Sequence, residues 1–351
     1  MSECVFTLAQ LGAVVLAHRA VEASDGRAGR LIVFAALLAA VAMLIRSAGA
    51  ALIAAACLSL VKDRRWIRGV GFATVAAVCL VPWLFYARAH APTPVQQDAQ
   101  RGLIVHGYGD QFWMRRAGSA SSGRIHIAEL PGRVTTNIVD IVGRGAGGIL
   151  VQTLLRGPDE SGEEVVSLGG RVGIYMIGFG SSPANMAISF ALSAIAVFGY
   201  IRTVRQRVTV AEFLVPISLA ITVLWPWWTF RFVLPLSPFL FFYFIRGLQW
   251  PGVVPLARIV ILSIIGLNLY DHTSYVLRAS SNLSGINWLA RATEVDETLD
   301  WMRTNLDKDA VIATTNPALV HLRTGHLAIT LDTWPRNGRF GEGGGFGTWR
   351  A

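Results

Sequence analysis

The chain has 351 residues, of which 53% are hydrophobic and only 15% charged, with a formal net charge of +9 and a mean hydropathy of +0.48. Soluble domains carry about 25% charged residues, so this deficit excludes an ordinary soluble enzyme and a disordered or collagen-like chain, and it points to an integral membrane protein. Only Lys62 and Lys308 among the 31 basic residues are lysine, a bias that GC-rich coding explains, and the positive charge by itself implies no nucleic-acid partner.

Apolar stretches fall at residues 4–17, 31–45, 48–61, 69–87, 186–201, 211–228, 232–245 and 254–270. A spanning helix takes about 20 residues, and about 17 at the short end, so length alone does not settle how many cross. The charges between them do. Basic clusters follow the first stretch (Arg19, Arg27, Arg30), the third (Lys62, Arg64, Arg65, Arg68), the fifth (Arg202, Arg205, Arg207) and the seventh (Arg246, Arg258). With eight crossings all four clusters lie on one side, as the positive-inside rule asks; a single span over 31–61 would put the first two on opposite sides. Two short spans joined at Arg46-Ser47 are therefore expected. The implied fold class is mainly α: a polytopic membrane protein of about eight transmembrane helices. Residues 1–88 and 186–271 form the membrane sections. A large loop, 89–185, and a small α/β tail, 272–351, lie on the extracytoplasmic side.

The large loop is rich in Gly and Ser (Gly118–Gly123, Gly143–Gly148) and reads as a loop with short helices. The tail is more legible. Thr293 with Asp296 three residues on resembles a capping box, and Val295, Leu299, Met302 and Leu306 recur at helical spacing. A buried-strand pattern follows at Ala310–Thr314. Asn316-Pro317 then opens a helix that Gly325 can close, and His326–Thr330 reads as a second strand. This is a small βαβ element. The glycine-rich end, Gly341–Gly347, lacks the Lys-Ser/Thr of a phosphate loop and reads as a frayed terminus.

Cys4, Cys57 and Cys79 sit in apolar runs without metal-ligand spacing, and His321 and His326, five apart, do not stack on one helical turn. No cofactor is implied, although nothing in the residue pattern rules out a divalent metal. The only acidic residue inside an apolar stretch is Glu212; coupled transporters place carboxylates near the midplane, so a secondary transporter is disfavoured. Two arginines stand apart. Arg46 lies in the break between the second and third stretches, and Arg231 in Trp227-Trp228-Thr229-Phe230-Arg231-Phe232, both at joins on the expected outer side. Interfacial anchoring within an aromatic belt that includes Trp225 is the structural reading. The functional reading is capture of a lipid-linked phosphate by the guanidinium fork.

Several segments together resemble GT-C membrane glycosyltransferases. They are Ala39–Gly49 with its Ile45-Arg46-Ser47, Lys62-Asp63-Arg64-Arg65-Trp66, Val81-Pro82-Trp83, Arg231–Pro238, and the closing Leu299–Asn305 through His326. The chain is similar in this to protein O-mannosyltransferases and to the aminoarabinose transferase of lipid A. The resemblance implies transfer of a sugar from a polyprenyl-phosphate donor to an acceptor on the extracytoplasmic face of a bacterial plasma (inner) membrane, with membrane lipids around it. Arg46 and Arg231 would then be donor-phosphate residues. The carboxylate that this superfamily carries after its first span has no counterpart here, so the chain is expected to be an N-terminally incomplete copy, and Glu3 is the one weak catalytic candidate. A non-catalytic scaffold or lipid-binding relic of the family is the alternative. Tyr108–Trp113 and Arg133–Asn137 resemble an acceptor-side loop, or are loop-packing residues. Asn282-Leu283-Ser284 matches a glycosylation sequon that chance explains. Neither the sugar nor the acceptor is legible.

Overall fold

The computed structural model describes residues 2–23, 25–91, 108–115, 123–151, 183–226, 229–249, 254–280, 288–314 and 317–330. Trp227, Trp228, the sequon at 282–284 and the tail beyond 330 lie outside the described residues. The chain is mainly helical and divides into two units, residues 1–91 with 128–286, and residues 92–127 with 287–351.

The first unit holds α1 (Ser2–Glu22), α2 (Asp25–Ile45), α3 (Ala50–Lys62), α4 (Trp66–Ala89), α5 (Leu130–Asp140), α6 (Pro183–Gln206), α7 (Val210–Leu224), α8 (Thr229–Val233), α9 (Ser237–Leu248) and α10 (Val254–Ser280). Among the described residues, five helical stretches are long and apolar enough to cross a membrane: Glu3–Glu22, Gly26–Ile45, Trp66–Ala89, Met186–Gln206 and Arg231–Leu248. Three more are apolar but shorter, at Ser47–Lys62, Val210–Leu224 and Ala257–Tyr270. Each of the eight apolar stretches is thus mostly or wholly helical among the described residues, five of them at spanning length.

Alanine stripes let these helices approach closely. Ala13, Ala17 and Ala20 of α1, Ala35, Ala36 and Ala39 of α2, and Ala51, Ala55 and Ala56 of α3 are buried in one core. Close packing of small residues is how helices associate where lipid removes the hydrophobic drive. The opposite faces are apolar and open: Leu8, Phe34, Ile67, Val78, Phe85 and Leu262 are all more than half exposed. A water-soluble surface of this kind would aggregate, whereas a lipid-facing one is expected to be apolar.

The α2–α3 join falls where the sequence suggests. Arg46 is extended (φ −149°, ψ 131°), and a 3-10 turn over Ser47–Gly49 leads into α3. Gly49 is required there, because a Cβ would lie 2.5 Å from the backbone nitrogen of Met43.

One expectation needs correction. Residues 130–150 of the large loop pack in the helical unit, as α5, a π-helical turn over Ile141–Gly145 and the helical turn Ala146–Leu150. Its Gly143–Gly148 run is packed helix: the Ala146–Leu150 turn is buried throughout, and a Cβ on Gly147 would come within 1.9 Å of the Ser189 hydroxyl on α6. Glycine serves close helix contact here, not loop freedom. α10 continues ten residues past the end of its apolar stretch at Tyr270, to Ser280.

The second unit contains a short helix, Tyr108–Trp113, followed by an antiparallel bridge between Met114 and Arg124, and then α11 (Trp288–Asn305), β1 (Val311–Thr314), α12 (Pro317–Thr324) and β2 (Leu327–Thr330). β1 and β2 pair in parallel, Val311 with Leu327 through Thr314 with Thr330, making the expected βαβ element. Leu299, Ile312, Val320 and Ala328 form its core, with Met302 and Leu306 against it. Val295 is exposed, and α11 begins at Trp288, so Thr293 lies inside the helix and does not cap it. Helix-forming residues upstream of Thr293 extend the helix past the capping motif.

Candidate functional site

Glu3, Arg46 and Arg231 come from three separate stretches of sequence and meet at one end of the helical unit. Glu3 stands in the first turn of α1, where a carboxylate complements the helix dipole. Arg46 leaves the end of α2, and Arg231 projects from α8. The Nε of Arg231 donates to Glu3 Oε1 at 3.1 Å, and Arg46 Nη1 lies 3.6 Å from the same oxygen. Arg46 Nη1 also donates to the Arg231 carbonyl at 3.3 Å, and its guanidinium sits 5.4 Å from the centre of the Phe232 ring. The side chains are graded in exposure: Arg46 11%, Glu3 23%, Arg231 58%. The result is a half-sheltered pair of guanidinia sharing one carboxylate oxygen, with the Arg231 side open.

The segment carrying Arg231 is held by α5. Asn137 Nδ2 donates to the carbonyls of Val223 (2.9 Å) and Trp225 (3.0 Å), and Arg133 Nη1 donates to that of Leu224 (3.3 Å). Thr229, buried, donates its hydroxyl to Asp140. Positions 133, 137 and 140 lie on one face of a helix, so a single face of α5 caps the end of α7 and ties down the start of α8. Burial there holds the Arg133 guanidinium below its ordinary value, which the Glu129 carboxylate partly offsets. Arg133 and Asn137 make packing contacts here. No sequence signal marked Asp140 or Thr229.

Among the described residues no group of His, Cys, Asp and Glu is arranged to hold a metal ion. His321 and His326 each bond a backbone carbonyl, those of His326 (2.9 Å) and Met302 (3.2 Å). The side chains of Tyr108 and Asp110 lie outside the described residues. The three cysteines are free thiols.

Comparison with protein-family models, with characterised proteins and with solved structures finds no match for this chain. Fold and site therefore define a mainly helical chain with membrane-length apolar helices and a paired-arginine cluster, and any narrower assignment rests on the residues themselves.

Proposed function

We propose that the Arg46–Arg231 pair binds the phosphate of a polyprenyl-phosphate-linked sugar, and that the protein is a glycosyltransferase-like protein of the bacterial plasma membrane. The observation that carries this reading is the convergence of the two arginines around one carboxylate oxygen, although 185 residues separate them. A guanidinium pair at the rim of an apolar bundle has the charge and the donor geometry for a phosphate whose lipid chain lies along the apolar flank. The GT-C resemblance adds the reaction. The bond between the anomeric carbon and the phosphate oxygen breaks with its electron pair going to the phosphate. An acceptor oxygen bonds to that carbon and passes its proton to a carboxylate base, the role for which Glu3 is the one candidate here. The phosphate gains one negative charge, which the two guanidinia would stabilise.

Topology is part of the same proposal. Contacts at the far end of the unit gather the basic clusters: Lys62 Nζ donates to the Val208 carbonyl, Arg68 to the Ala20 carbonyl, and Arg207 to Glu22. That sorting agrees with eight crossings, the basic end cytoplasmic and the Arg46–Arg231 end outside, with the large loop and the C-terminal unit.

The position of Glu3 favours a second reading, a lipid-phosphate-binding scaffold without catalysis. The one candidate base is committed to neutralising both arginines. The two readings separate when the protein, in lipid nanodiscs, is given radiolabelled polyprenyl-phosphate hexose or pentose with a membrane acceptor extract. Release of polyprenyl phosphate supports the transferase, whereas retention of the intact donor supports the scaffold. Failure to retain either lipid defeats both.

A further inference from the structure

Resting on the phosphate-binding reading of this cluster, we infer that Glu3 sets its order of preference: the carboxylate is a tethered anion that a phosphomonoester displaces more readily than a phosphodiester such as the donor. Arg46, Arg231 and Glu3 together carry two positive charges and one negative, and both cations converge on the single oxygen Oε1. An incoming phosphate must compete for the same guanidinium donors. A phosphodiester brings one negative charge, the same as the carboxylate it would replace, and it competes against a group held in place by α1. A phosphomonoester brings about 1.5 to 2 negative charges near neutral pH and three acceptor oxygens, enough to engage both guanidinia and offset the loss of Glu3.

Geometry makes this selectivity useful. Arg231 is 58% exposed at the end of an apolar bundle, the level at which headgroups of bilayer lipids would crowd it. Those headgroups are overwhelmingly phosphodiesters. With Glu3 in place, a singly charged headgroup gains little by exchanging with it, and a ligand of higher charge exchanges more readily. The favoured ligand is thus a long-chain lipid monophosphate, which is also the species left when a sugar departs from a lipid-phosphate donor. Product-like charge is held more tightly than donor-like charge, the sense in which binding assists the transfer.

The test uses the full chain in nanodiscs of uncharged, phosphate-free lipid. Binding of a polyprenyl monophosphate is compared with its methyl phosphodiester, for the wild-type protein and for Glu3→Gln. The wild type is expected to prefer the monoester by about tenfold or more, equivalent to about 1.4 kcal/mol. Glu3→Gln is expected to bind the diester more tightly and to shrink the preference below about threefold, a gain that loss of a structural contact would not produce. Inorganic phosphate at equal concentration should leave the lipid bound; displacement by it would overturn the lipid assignment. Equal binding of monoester and diester by the wild type, with both weakened in Arg231→Ala, would overturn the role of Glu3 and leave the phosphate reading standing. That comparison needs no Glu3 variant. If neither lipid binds and Arg231→Ala behaves as wild type, the phosphate reading itself fails.

Discussion

The two ends of the helical unit each place a glutamate in the first turn of a helix, and they treat it oppositely. Glu212, at the start of α7, is only 5% exposed. One oxygen accepts from the backbone N–H (2.7 Å) and hydroxyl (2.6 Å) of Thr209, completing a capping box, and the other accepts from the Tyr243 hydroxyl at 2.8 Å. Glu3, at the start of α1, is held at the rim by two guanidinia, one of them largely exposed. A carboxylate whose donors are backbone and buried hydroxyls stabilises the fold. Guanidinia at the rim, one of them 58% exposed, can exchange their carboxylate for another anion. Chemistry is therefore expected at the Glu3 end and stability at the Glu212 end.

The largest expected effect tests the stabilising side. Glu212→Leu strands the Tyr243 hydroxyl and the Thr209 donors in a buried site, at about 1 to 3 kcal/mol for each unsatisfied group, and should lower the unfolding midpoint strongly in a detergent titration. Glu3→Gln should shift the same midpoint by less than about 1 kcal/mol, as expected for a partly exposed ion pair. Equal losses would break the comparison. Arg231→Ala should weaken polyprenyl monophosphate binding at least about tenfold with membrane insertion intact, because a charge-assisted contact worth about 1.5 to 3 kcal/mol is removed. Undiminished binding would remove Arg231 from the site. Asn137→Ala removes the caps on Val223 and Trp225 and should cost about 1 to 2 kcal/mol of stability, with a smaller loss of phosphate affinity as the Arg231 segment loosens. At the far end Arg207→Ala, which breaks an exposed pair with Glu22, should change neither quantity measurably.

Much of this arrangement is visible in the sequence where the determinants are local. The apolar stretches, the break at Arg46, and the strand–helix–strand order around Pro317 and Gly325 follow from short-range pattern: runs of hydrophobic residues, an arginine that hydrocarbon would not accept, a proline and a glycine at helix ends. The glycine run at 143–148 misleads for the same reason. Glycine is equally suited to a free loop and to tight helix contact, and only the presence of Ser189 opposite Gly147 decides between them. Thr293 misleads because a capping motif cannot stop a helix whose preceding residues also favour it. The face of α5 that carries Arg133, Asn137 and Asp140 gives no signal of its purpose, since its partners are carbonyls and a hydroxyl some 86 to 91 residues away in the chain.

By itself the sequence determines that this chain is built of apolar helices, where those helices break, and that Glu3, Arg46 and Arg231 are unusual, because hydropathy and charge placement act over a few turns. That the three should share one carboxylate oxygen was decided only by tertiary structure. Arg231 and Glu3 stand 228 residues apart, and what brings them together is the packing of alanine faces in α1, α2 and α3 and the hold of α5 on the segment before Arg231. Contacts of that range depend on the shape of whole helices, which no local pattern encodes.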